Sequence, residues 1–82
     1  MTNQQLKDYE KVQPICALDV YIDDGHYGTY GEISIEDAIS DIDYLLDNAL
    51  AELTQSYPQG EYKKELQRRV RSAKWFLKKY QK

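Results

Sequence analysis

Ser34-Ile35-Glu36-Asp37-Ala38-Ile39-Ser40-Asp41-Ile42-Asp43-Tyr44-Leu45-Leu46-Asp47-Asn48-Ala49-Leu50-Ala51-Glu52-Leu53 carries the clearest periodicity in the chain. Apolar side chains recur at Ile35, Ala38, Ile39, Ile42, Leu45, Leu46, Ala49, Leu50 and Leu53. That spacing puts one apolar stripe along a helix of about five turns and predicts an amphipathic helix over 35–56. Ser34 is an N-cap residue, and Asp37 three positions on resembles a capping box with Asp in place of Glu. Acidic side chains in the first turn suit the positive end of the helix dipole.

Tyr57-Pro58-Gln59-Gly60 stops this helix and reverses the chain. A second helix is predicted over 61–81. Its stripe is Tyr62, Leu66, Val70, Ala73, Leu77 and Tyr80, flanked by Phe76. The short link makes the two helices antiparallel neighbours. Upstream, Ile15 to Asp23 alternates, with Cys16, Leu18, Val20 and Ile22 on one face, and reads as a strand. Asp24-Gly25 supplies a turn, and a second strand from Tyr27 to Ile33 completes a β-hairpin over 15–33. Residues 1–14 read as an N-terminal arm or short helix ended by Pro14, with Leu6 and Tyr9 the only large apolar side chains of 3–11. The expected fold is α+β: a small single domain, 1–82, in which a β-hairpin is followed by an antiparallel helical hairpin packed on one sheet face.

The 82 residues are 41% hydrophobic and 30% charged, a globular balance rather than a disordered one. A chain of this size buries only about 60% of its unfolded surface, leaving little room for a deep pocket beside the core. Cys16 is the one cysteine, so no internal disulfide forms, which fits a reducing compartment. The first residues lack an apolar signal core, and no apolar run approaches the roughly 20 residues of a membrane span. The expected location is cytoplasmic, in a producer or a host cell.

The net charge of −3 conceals a sorted distribution. Residues 1–57 hold twelve acidic and two basic side chains, a net −10; residues 58–82 hold nine basic and two acidic, a net +7. At about 100° per residue, Trp75 falls opposite the stripe of the last helix, in the company of Arg68, Arg71, Lys78 and Lys79. On the acidic helix Tyr44 lies opposite the stripe, near Asp37, Asp41 and Asp47, with Glu52 closer to the flank. Attraction between the two helices accounts for flanking charges such as Asp43 and Arg69, but not for outward ones such as Arg71 and Lys78.

Catalytic and metal chemistry find little support. Gly25, Gly28 and Gly31 are followed by Glu32, Glu36, Asp37 and Asp41 rather than by a lysine, which opposes phosphate binding. A calcium loop built on Gly25 would need Val20 and Gly31 as ligands. Cys16 and His26 lack an orienting third group, and Asp23, Asp24 and Glu32 sit in no hydrolase motif. No catalytic residue, metal or cofactor is therefore assigned.

The expectation is a non-enzymatic protein-binding module. Its size and acidity suit a small phage or mobile-element inhibitor, anti-CRISPR-like or nucleic-acid-mimicking, directed at a nucleic-acid-handling protein. The assigned binding surface is Tyr27, Tyr30, Glu36, Asp37, Asp41, Tyr44 and Asp47. Two alternatives stand beside it: direct nucleic-acid binding through the basic face of Arg68, Arg71, Trp75, Lys78 and Lys79, and a homo-oligomeric structural role.

Overall fold

The computed structural model describes residues 1–17 and 33–81, which form three helices: α1 (Asn3–Ala17), α2 (Ile35–Gln55) and α3 (Gly60–Tyr80). Among the described residues there is no strand, so the expected α+β architecture is replaced by a helical bundle. Ile15, Cys16 and Ala17, read from sequence as the start of a hairpin, close α1. Of the remaining hairpin, Ile33 belongs to no element and 18–32 lie outside the described residues.

The reason lies in the inward face of α1. Tyr9, Val12, Gln13 and Cys16 are buried at i, i+3, i+4 and i+7, a full helical stripe. Gln13 and the buried Asp8 break its apolar appearance in the sequence. Of the alternation read from Ile15 to Asp23, only Ile15, Cys16 and Ala17 are described, and there they continue α1. Pro14 is exposed inside the last turn of α1 and does not end it. It removes one backbone donor, and the Glu10 residue whose carbonyl it frees is also exposed, so water can take the lost bond's place.

The long helices follow from their stripes. Ser34 caps α2 by accepting a hydrogen bond from the Asp37 backbone N–H at 3.1 Å, worth about 1 kcal/mol. At the other end Ser56 donates its N–H to the Glu52 carbonyl, and Tyr57 follows with φ of 45°. Left-handed backbone at that position is ordinarily glycine's.

Contacts fix the arrangement. Tyr9 meets Phe76 and Cys16 meets Arg69, so α1 runs antiparallel to α3. Tyr62 at the start of α3 meets Glu52 near the end of α2, so those two are also antiparallel. The core joins Tyr9, Val12 and Cys16 of α1 with Ala38, Ile42 and Leu45 of α2 and Ala73, Phe76 and Leu77 of α3. Phe76 is its centre, with ring centroids of Tyr9 at 6.0 Å and Tyr80 at 4.9 Å. With 15 residues against 21, α1 is about 9 Å shorter than its partners. It packs on the half of the α2–α3 pair that holds the N-terminus of α2 and the C-terminus of α3.

Candidate functional site

Two exposed faces of opposite sign dominate the surface. On α2, Glu36, Asp37, Asp43, Tyr44 and Asp47 are exposed, and Leu50 adds an apolar side chain at the edge. No lysine or arginine occurs between Lys11 and Lys63, so nothing on this helix neutralises the carboxylates. Tyr44 is 54% exposed, leaving over half of its surface for a partner. Asp41 departs from the expected outward set. It is half-buried and accepts a hydrogen bond from Tyr9 Oη at 2.7 Å, tying α1 to α2. Tyr27 and Tyr30 lie outside the described residues.

The basic face gains a second wall. Trp75 is 42% exposed, and α1 lies beside it: Lys11 Nζ sits 5.3 Å from the indole centroid and Lys79 Nζ 5.2 Å. Two cations over one ring are held by its quadrupole and mark a strongly positive aromatic surface. Between α1 and α3 runs a groove of about 240 Å³ lined by Lys11, Val12, Ile15, Arg71, Ser72 and Trp75. Its size suits one large side chain rather than a drug-sized ligand. Arg68, Arg71 and Lys78 are exposed along the same helix.

Lys79, assigned from sequence to the basic binding face, is engaged in the structure. Its ammonium lies 2.7 Å from Asp8 Oδ2, an oxygen that also accepts from Tyr80 Oη, while Gln4 Nε2 donates to Oδ1 at 3.0 Å. Burial alone would raise the Asp8 carboxyl, but the hydrogen bonds from Lys79, Tyr80 and Gln4 outweigh it and hold the group below its ordinary value. The same contact raises Lys79, while Tyr80 is raised first by burial and then by its bond to the carboxylate. Sequence reasoning missed this node because Asp8 was read as part of a polar arm. The i, i+4 relation of Asp8 to Val12, beside the Tyr9–Cys16 stripe, was the available signal.

A second cavity, of about 300 Å³, includes Cys16, Leu66, Arg69, Glu52 and Tyr62 in its lining. Burial pushes the Cys16 thiol up to about 12, and its Sγ donates to the Arg69 carbonyl at 3.5 Å. A thiol held so far from ionisation is no nucleophile at neutral pH. Arg69 is buried beside Glu65 of its own helix, with Nε–Oε1 at 3.8 Å. Among the described residues no group of three or more His, Cys, Asp or Glu is placed to hold a metal ion. Asp23, Asp24, His26 and Glu32 lie outside them. No helix of the described residues is long and apolar enough to cross a membrane.

The fold and these surfaces define a three-helix bundle with one acidic face and one basic, aromatic seam. Comparison with known protein families, curated proteins and solved structures finds no match.

Proposed function

We propose that the chain is a non-enzymatic protein-binding module that engages a basic surface of a nucleic-acid-handling protein in the cytoplasm, in the manner of a small phage or mobile-element inhibitor. The observation that carries this reading is the outer face of α2, where four exposed carboxylates surround an exposed Tyr44 and no cation intervenes. Such a face attracts a groove built for phosphates and speeds encounter with it.

Charge density limits the mimicry. From Glu36 to Asp47 the four carboxylates span about 16 Å of helix, or about one per 4 Å, against about one per 1.7 Å for duplex DNA. Charge therefore steers, and Tyr44 with its large buriable ring supplies the anchor that holds the complex.

The test is capture with a paired control. Wild-type protein and a Glu36→Lys/Asp43→Lys/Asp47→Lys variant are compared for proteins retained from cells and released by added DNA. Asp41 is left intact because it holds Tyr9. A nucleic-acid-binding protein retained by the wild type, lost by the folded variant and displaced by DNA is the expected result. Equal retention by both refutes the reading.

A further inference from the structure

We infer that the groove between α1 and α3 receives the acidic face of α2 from a second copy of this chain, so that copies associate head to tail. The groove offers two unlike features: a positive rim from Lys11 and Arg71, and an apolar wall from Val12, Ile15 and the indole of Trp75. Its occupant must therefore carry carboxylates around one large, mostly apolar side chain. The α2 face meets that description. Tyr44 projects from it with 54% of its surface exposed, next to Asp43 and one turn before Asp47. The groove's 240 Å³ suits a single ring of this kind.

One molecule cannot satisfy itself, because the stripe of α2 faces the core and its carboxylates point outward, whereas the groove lies on the α1–α3 seam. Each copy therefore keeps one donor face and one acceptor groove. Such a contact is heterologous and propagates to a ring or a chain. A nucleic-acid strand fits the groove less well. The indole would serve a base as well as a tyrosine ring, but this net-acidic chain repels a polyanion far more than it repels a second copy of net charge −3. Self-docking would also mask the α2 face used in the reading above. The inference relies on that face but not on any foreign partner.

The contact places one helix on a two-helix seam, a small interface, so association is weak and sensitive to salt. Sedimentation equilibrium of the full chain from about 5 to about 500 µM, at about 0.05 M and about 1 M salt, reads it directly. The wild type is expected to exceed the monomer mass at low salt and to return to it at high salt. Trp75, the one tryptophan, shifts its emission to the blue as the groove fills.

Asp43→Lys/Asp47→Lys and Lys11→Glu/Arg71→Glu should each be monomeric alone and associate when mixed, since each restores the charge match lost in the other. Should either pair fail to give a helical spectrum, Asp43→Asn/Asp47→Asn replaces it and should weaken association without repulsion. A wild type that stays monomeric at low salt overturns the inference, as do folded variants that associate like the wild type. Foreign-partner capture is scored separately, so it can survive that outcome.

Discussion

Asp8→Ala removes one carboxylate that joins three side chains at one end of the α1–α3 seam, Gln4 of α1 with Lys79 and Tyr80 of α3. The Asp8 side chain is 8% exposed, whereas Lys79 is 41% exposed and returns to water when its partner is deleted. The Lys79 pair is therefore left out of the sum. The hydrogen bond from Tyr80 Oη to a charged acceptor is worth about 1.5–3 kcal/mol, and relief of the carboxylate's own desolvation subtracts from that. The net expected loss is about 1.5 kcal/mol. For a domain of this size it lowers Tm by about 6–12 °C.

The pH dependence separates this account from a packing defect. The folded pKa of Asp8 is depressed, so its contribution is complete above the unfolded value of about 3.9 and is lost as pH falls through the folded value. The raised Lys79 works in reverse: its share is complete below about 10.4 and is lost as pH rises through the folded value. Urea unfolding followed by helix circular dichroism, from about pH 7 to about pH 2, should show the wild type and Asp8→Ala converging only at the acid end. A difference below about 0.3 kcal/mol at neutral pH, or one that persists unchanged in acid, refutes the reasoning.

Phe76→Ala empties the centre of the core and should cost about 3–5 kcal/mol, enough to unfold much of a domain whose total is about 4–12 kcal/mol; a loss under about 1 kcal/mol by urea titration contradicts the packing described. Tyr57→Gly relieves a left-handed residue that is 77% exposed, and should stabilise by about 0.5–1 kcal/mol after the added unfolded-state entropy of glycine is subtracted; a lower Tm in that variant means the Tyr57 side chain has a role its exposure does not show. With its pKa near 12, Cys16 should react with a thiol reagent at about pH 8 on the order of a thousandfold more slowly in the folded protein than in urea; labelling at the free-cysteine rate under native conditions rules out its burial.

The two long helices were legible because their stripes are nearly pure. They occupy Ile35–Gln55 and Gly60–Tyr80, against 35–56 and 61–81 read from the sequence. Ser34 could be read as a cap because capping is a local bond. The first helix was legible only as one of two readings of 1–14, an arm or a short helix ended by Pro14, and its run on to Ala17 was not, since two of its inward positions, Asp8 and Gln13, are polar. The burial of Asp8 is made tolerable by Lys79 and Tyr80, partners distant in sequence, and a local pattern cannot show that. The same limit applies at the surface. Glu36, Asp37, Tyr44 and Asp47 are exposed where the helical angle puts them, but Asp41 is drawn inward by Tyr9, and Lys79, though exposed, is paired with Asp8. The basic face was visible as a charge pattern on one helix. That Lys11, Val12 and Ile15 turn it into a groove depends on where α1 docks.

The docking of α1 as a third helix underlies the groove, the Asp8 node and the corrected fold together. Carbon chemical shifts and ring-to-ring nuclear Overhauser effects from one labelled sample test it. Helical shifts are predicted from Asn3 to Ala17, together with cross-peaks between the Tyr9 and Phe76 rings, whose centroids lie 6.0 Å apart. Extended shifts at Ile15 to Ala17, or no cross-peak between those rings in the folded protein, would contradict the account.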